Sequence, residues 1–400
     1  MPLGIYISVP FCRAKCSYCN FASDVFSQAA YGNYVARVVE DVAAAGAAAT
    51  SLGCTLERDV DSIYLGGGTP SILDSAQLRR LFAAVRDQFT IARDAEVTVE
   101  CAPGTLTRSL IETLLRCGVN RISLGVQSFV DQEAASVGRM HKRATVLAEI
   151  AHLREAGLVN INIDLIAGLP HQTAESWTYS LSEAVATGAP HVSVYMLEVD
   201  EDSRLGRELI AGGTRYHAHF VPDDDATADF YLKACETLNA AGVSQYEISN
   251  FSRSGGESRH NLKYWTRQPY LGFGVDAHSM LRTAANSGNA AVRFSTPDSL
   301  DAYLNRQPFD VAPVSKETAL EESFFLGLRL NRGVDLEELA TRFGRDKTAA
   351  SLTTIQGCIV EGLLDQRGAV VRLTPKGRLL SNEVFARFLG EKQTAGTGCA

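Results

Sequence analysis

Four hundred residues, 46% hydrophobic and 21% charged, describe an ordinary globular chain with room for one large and one small domain. No run of 18 apolar residues occurs, which excludes a membrane-spanning helix, and a net charge of −8 gives no overall attraction to nucleic acid or anionic lipid. Nine unevenly placed cysteines do not make a secreted disulfide scaffold, and the opening MPLGIYISVPFCRAK has no basic segment or small-residue cleavage site, so the expectation is a cytoplasmic protein.

In chain order, apolar runs at 4–9, 62–65, 96–100, 121–125, 160–166 and 191–197 predict strands. Amphipathic stretches at 29–49, 75–88, 107–117, 145–156 and 174–187 predict the helices between them. The strands are mostly apolar rather than alternating, as burial on both faces of a parallel sheet requires. Repeated β–α units imply right-handed crossovers and an α/β fold. The unusual residues then decide between a barrel and a doubly wound sheet. Cys12, Cys16 and Cys19 follow the first strand, and Gly66-Gly67-Gly68-Thr69-Pro70 follows the second. Glu100 closes the third, Gln127 follows the fourth, Asp164 lies in the fifth and Tyr195 near the end of the sixth. Strand ends that converge on one face indicate a parallel barrel, partial or complete, over residues 1–200.

Residues 201–313 are irregular, with Gly212-Gly213, an acidic run at 223–225 and Gly255-Gly256. A helix at 227–241 and a strand at 244–248 are predicted there, within a segment that completes the barrel and adds an insert. Residues 314–390 are regular again: helices at 318–330, 336–343 and 348–362, a hairpin at 363–373 turning at Gly368, and a helix at 375–389. Three helices and a two-stranded wing predict a winged-helix-like α+β domain. Its 11 basic and 10 acidic side chains between 316 and 389 offer no basic face for phosphate, so it is expected to pack or dock a partner and not to bind nucleic acid. The Gly- and Thr-rich residues 391–400 are expected to be a disordered tail.

The cluster Cys12-Arg-Ala-Lys-Cys16-Ser-Tyr-Cys19 carries the strongest chemical signal. Zinc would take a fourth Cys or His, and the nearest along the chain are Cys54 and His141. An iron–sulfur cluster normally takes four cysteines, so three leave one iron open to a ligand with its own nitrogen and oxygen donors. Cys54, Cys101, Cys117, Cys235, Cys358 and Cys399 stand alone and read as ordinary thiols.

CxxxCxxC after a first barrel strand resembles the motif of the radical S-adenosylmethionine (SAM) enzymes. The resemblance implies a radical-SAM barrel and a [4Fe–4S] cluster on Cys12, Cys16 and Cys19. It also implies that the open iron chelates the methionine part of SAM, whose sulfur–C5′ bond an electron can break. The segments Tyr6…Pro10-Phe11-Cys12, Gly125-Val126-Gln127-Ser128-Phe129, Gly138-Arg139-Met140-His141 and Asn162-Ile163-Asp164 resemble the oxygen-independent coproporphyrinogen III oxidase family over nearly the whole chain. By position, that family's cofactor contacts fall on Tyr6, Tyr18, Gly67, Gly68, Thr69, Glu100, Gln127, Arg139 and Asp164. Glu100 and Asp164 can accept from hydroxyls or an ammonium, and Arg139 can hold a carboxylate.

Two departures divide the family. The oxidases carry a fourth cysteine two residues after the third and a long segment before the cluster, whereas this chain has Phe21 there and eleven residues before Cys12. It carries instead His260-Asn-Leu-Lys263-Tyr264-Trp265, typical of the HemW branch, the proposed heme chaperones. That resemblance implies heme as ligand and an acceptor protein as partner, a membrane-bound respiratory protein being one candidate. His260 is the candidate iron ligand, Tyr264 and Trp265 the candidate ring surface, and Lys263 or Arg259 the candidate partner of a propionate. The alternative is the oxidase itself, decarboxylating coproporphyrinogen III. A winged-helix regulator with a sensing cluster is a third reading, which the charge balance disfavours. Further departures are Ser8 in place of His, Ala102 in place of the Asn of an acidic-x-Asn-Pro segment, and Asp276 in place of a glycine.

Overall fold

The chain is described from a computed structural model, which covers residues 1–284 and 287–389. The expected disordered tail at 391–400 lies outside the described residues. Six parallel strands stand side by side in chain order: β1 (Leu3–Val9), β2 (Asp59–Gly67), β3 (Thr90–Cys101), β4 (Arg121–Gln127), β5 (Ile161–Ala167) and β6 (His191–Met196). The order never reverses, so right-handed crossovers put every connecting helix on the same face and the sheet curls instead of being doubly wound. β1 and β6 do not pair with each other, which leaves the barrel partial.

The sheet continues past both ends. β7 (Ser244–Gln245) and β8 (Asn250–Ser252) extend it antiparallel beyond β6, while β9 (Tyr270–Gly274) runs parallel beside β1. β10 (His278–Arg282), β11 (Ala291–Ser295) and β12 (Asp310–Val314) follow β9 antiparallel. The strand predicted at 244–248 is therefore two residues long, and β9–β12 were not foreseen. β9 reads Tyr-Leu-Gly-Phe-Gly, and its glycines serve close packing. A Cβ on Gly274, at φ +98°, would lie 2.7 Å from the Tyr34 hydroxyl. β12 tolerates Pro313 because it is the sheet's edge.

The two faces of the sheet differ. On β1, Leu3, Ile5, Ile7 and Val9 are completely buried in the main core, and the alternate positions Gly4, Tyr6 and Ser8 face the concave side. Parallel pairing carries that side across the sheet: Tyr6 is level with Tyr64, Glu100 with Ser123, and Asp164 with Ser193. The interior is thus polar. Its floor is closed by the helix Arg259–Trp265. The Glu96 carboxylate accepts from the backbone N–H groups of Arg259 and His260, both at 3.1 Å. Lys263, 2% exposed, pairs its Nζ with Asp61 at 2.6 Å and donates to Pro2 O at 2.9 Å.

The C-terminal unit has its own core around Phe324, Leu328, Ile355, Val371 and Val384. Its helices include Lys316–Leu328 and Leu336–Phe343, and its three-stranded sheet joins β13 (Val334–Asp335), β14 (Leu364–Arg367) and β15 (Val370–Leu373). The helices predicted at 348–362 and 375–389 each divide, into Arg345–Ala349 with Leu352–Val360 and Pro375–Leu379 with Ser381–Ala386. No helix of the described residues is long and apolar enough to cross a membrane. Glu322 ties this unit to the barrel, pairing with Arg267 at 2.6 Å and Arg293 at 2.7 Å while only 2% exposed. Glu322→Ala strands Arg267 in a dry interface and is expected to cost about 3 kcal/mol. Urea unfolding checks this, and an unchanged midpoint would show that the pairing contributes no net stability.

Candidate functional site

The cysteine loop leaves β1 and returns at once. Cys12 N–H donates to Asp24 O and Asp24 N–H to Pro10 O, each at 3.0 Å. Phe11 anchors the loop, its ring stacked on Tyr31 at 4.1 Å and edge-on to Tyr34 at 5.1 Å. Cys16 is buried, whereas Cys12 and Cys19 are partly exposed. Burial pushes the Cys12 and Cys19 thiols above their usual range, and the neighbouring cysteines push in the same direction. Two donors already face the sulfurs: Thr69 Oγ1 is 3.8 Å from Cys12 Sγ, and Arg139 Nη1 is 3.6 Å from Cys16 Sγ.

Three thiols on one loop, two of them faced by side-chain donors, are a donor set that fits an iron–sulfur cluster. A cubane attaches each thiolate to a different iron, so its three cysteines need to share a neighbourhood and not a point. Phe21, two residues past Cys19, is 62% exposed at the rim.

The glycine segment is fixed to this loop by backbone. Gly68 N–H donates to Val9 O at 2.8 Å, and Thr69 N–H to Phe11 O at 2.7 Å. A Cβ on Gly68 would lie 2.7 Å from Phe11 O, and Gly67 has φ +96°, so glycine is required by both contact and conformation.

Glu100, Asp164, Gln127 and Arg139 come together on the concave side near the same mouth. Tyr64 donates to Glu100 Oε1 at 2.7 Å, and Ser123 and Asn162 donate to the two Asp164 oxygens at 2.9 and 2.7 Å. Burial, aided by nearby Asp164, pushes the Glu100 carboxyl up to about 7. Burial also raises Asp164, against the hydrogen bonds and the nearby Arg121 that favour its anion. Gln127 is buried with φ +68°, at an irregularity in the β4–β5 register. Its Oε1 and the Nε of Arg139 are buried without partners, while the Arg139 Nη2 donates to Gly125 O. Orphaned groups of this kind in a polar mouth fit a polar ligand with both donors and acceptors. Tyr6 lines the interior between the rings of Tyr64 and His260, at 6.1 and 6.2 Å. Tyr18 lies beside Arg139 and Cys16 and packs against the small core of Val137, Ile166 and Leu169.

His260 is the predicted residue that the structure does not bring to an accessible site. It is 1% exposed, with Nδ1 3.0 Å from Ser62 Oγ and Nε2 2.9 Å from Tyr264 Oη. Burial, with Lys263 and Arg121 nearby, lowers its pKa to about 3, so the ring is neutral. Both nitrogens are used within the barrel floor, and neither is open to iron. Lys263 is likewise spent on Asp61, and Arg259 on Asp94 at 3.0 Å. Tyr64, Arg121, Ser123, His191 and Ser193 are site residues to which no sequence motif points. Their signal was present as polar residues spaced by two within otherwise apolar strands.

Residues 6–183 match the Radical SAM superfamily and residues 314–380 the HemN C-terminal domain. The chain is 33% identical to the heme chaperone HemW of Bacillus subtilis, over 96% of this chain and 99% of the relative. It is 31% identical to the heme chaperone HemW of Escherichia coli, over 98% and 99%. In three dimensions it is similar to coproporphyrinogen III oxidase (HemN) from Escherichia coli, with a TM-score of 0.80 and 23% identity, covering 97% of this chain and 90% of that one.

The Glu100 environment predicts a pH dependence. A carboxyl raised from 4.5 to about 7 keeps its proton when folded, so its contribution to stability is present below pH 4.5 and is lost as pH rises through 7. Glu100→Gln should therefore gain on wild type by up to about 3 kcal/mol between pH 5 and 8 in the absence of ligand. Parallel unfolding curves for the two proteins across that range would disprove the assignment.

Proposed function

The chain belongs to the heme chaperone HemW family of the radical SAM superfamily, and from that premise we propose that it binds heme and transfers it to an acceptor protein. Similarity to the HemW proteins along essentially the full length supports this reading. The observation that carries it against the oxidase alternative is Phe21, an exposed aromatic at the position where the oxidases keep a fourth cysteine. The likeness to the oxidase structure bears on fold alone at 23% identity.

Superfamily membership implies a [4Fe–4S] cluster and SAM. When bound, that pair supplies one-electron cleavage of the sulfonium. In our reading Cys12, Cys16 and Cys19 hold the cluster, and Thr69 and Arg139 donate to its sulfur ligands. Gly67 and Gly68 admit the ligand close to their backbone. Glu100 and Asp164 accept from its hydroxyl or ammonium groups, and Gln127 offers the acceptor that has no partner now. Tyr6 and Tyr18 border the same space.

Replacing Cys12, Cys16 and Cys19 together with Ala should abolish the broad visible absorption and the iron of the reconstituted protein. SAM should perturb the EPR spectrum of the reduced wild-type cluster. A full cluster in the triple variant, or an unchanged spectrum at saturating SAM, would overturn the assignment.

Anaerobically reconstituted wild type should also retain hemin stoichiometrically and leave coproporphyrinogen III unconsumed. Turnover of the porphyrinogen would move the chain to the oxidase class. His260→Ala should leave the hemin spectrum unchanged while lowering stability, because that imidazole is spent on Ser62 and Tyr264.

A further inference from the structure

Behind Asp164 the wall of the barrel holds polar groups that no ligand can touch directly. Strand pairing sets Ser123, Asn162 and His191 in one row across β4, β5 and β6. Asp164 is level with Ser193 in the next inward row toward the mouth. Asp164 is half-buried and open to the concave space, whereas Ser123, Asn162, His191 and Ser193 are no more than 3% exposed. The row behind Asp164 is therefore sealed, and whatever it does must pass through that carboxylate.

The Asn162 amide is the hub of the row. Its Nδ2 lies 2.7 Å from Asp164 Oδ1 and 2.7 Å from Ser123 Oγ. Ser123 Oγ gives its one hydrogen to Asp164 Oδ2 at 2.9 Å, so toward the amide it can only accept. Both oxygens of Asp164 thus depend on one amide, the first directly and the second through Ser123. The other end of that amide faces away from Asp164, with Oδ1 2.6 Å from His191 Nδ1 and 3.2 Å from Ser193 Oγ.

These contacts settle which nitrogen of His191 carries the hydrogen. An amide oxygen only accepts, so Nδ1 is the donor and Nε2 of the neutral ring is the acceptor. Nε2 lies 3.0 Å from Tyr246 Oη. Ser258 N–H donates to the same Tyr246 oxygen at 3.2 Å, which leaves the phenol hydrogen for His191. Burial, with Arg121 nearby, holds the pKa of His191 well below its usual range and keeps the ring neutral.

We propose that His191 is a positioning residue for SAM. By donating Nδ1–H to Asn162 Oδ1, it holds the amide with both N–H groups toward Ser123 and Asp164. It thereby sets the direction in which the Asp164 carboxylate meets a hydroxyl or ammonium group of the ligand. The proposal rests on the reading of Asp164 as a SAM acceptor given above. An amide that loses its partner at Oδ1 is free to turn over. Turned over, it would withdraw two donors from the Asp164 and Ser123 pair and present an oxygen to the carboxylate.

Side-chain geometry supplies the test. The nitrogen of an asparagine stands where His Nδ1 stands, and that of a glutamine where Nε2 stands. SAM is titrated into the anaerobically reconstituted full chain and followed by the EPR spectrum of the reduced cluster. His191→Leu and His191→Gln should each weaken SAM by about fivefold or more. His191→Asn, which keeps the donor to Asn162, should restore wild-type affinity. Cluster iron and the SAM-free spectrum should stay unchanged in all three. Ile355→Ala, in the core of the C-terminal unit, should lower stability without moving SAM affinity, which separates positioning from a general loss of stability. If His191→Leu fails to fold, the contrast between His191→Asn and His191→Gln decides the matter. A wild-type spectrum that SAM leaves unchanged would defeat the SAM reading itself. A wild-type response together with unweakened SAM binding in His191→Gln, or with His191→Asn as weak as His191→Gln, would leave that reading standing and overturn the role of His191.

Discussion

A parallel barrel whose concave face is polar must satisfy those groups within its own wall, and the rest of this structure follows from how that is done. Arg121 is the buried cation among the strands, 2% exposed. Its charge favours the anions of Glu100 and Asp164 and disfavours protonation of His191 and His260. Arg139 also acts on Asp164, yet burial raises both carboxyls first, and Asp164 raises Glu100 further. A ligand bearing positive charge, as a sulfonium with an ammonium does, would favour the anions of both carboxyls on entering the mouth. The floor is closed by the helix Arg259–Trp265, so the mouth with the cysteine loop is the end left for such a ligand.

The opposite end of the barrel is built by backbone and strain. The glycine segment lies so close under Val9 and Phe11 that no side chain fits at Gly68, which locks the end of β2 to the start of the cysteine loop. Gln127 reaches the interior through a left-handed turn at a register irregularity, an arrangement that persists because β4 is held on both sides by β3 and β5. Partnerless polar atoms at Gln127 and Arg139 mark where the protein alone does not complete its hydrogen bonding.

Much of this was legible in the sequence. Strands buried on both faces announce themselves as continuous apolar runs, and the polar residues at their ends pointed to a barrel before any coordinates. The cysteine loop, Glu100, Gln127, Arg139 and Asp164 do gather at that end. What was not legible is the part set by pairing with distant chain. β9 to β12 are five residues each, β9 interrupted by glycine and β12 by proline, and they form because β1 offers an open edge. The inward polar rows are hidden in the sequence because each is a minority of small polar residues at every second position of a strand that is otherwise apolar.

The His260 motif shows how a sequence signature and a ligand can separate. An imidazole beside Tyr and Trp has the composition of a heme site, but the same composition closes a polar barrel floor, with hydroxyls on both nitrogens and tyrosine rings alongside. A macrocycle reaching that nitrogen would have to displace the Ser62 or Tyr264 contact and part a helix held by Lys263 and Glu96. A carrier must also release its cargo to another protein. Release from behind a packed helix would require local unfolding at every transfer.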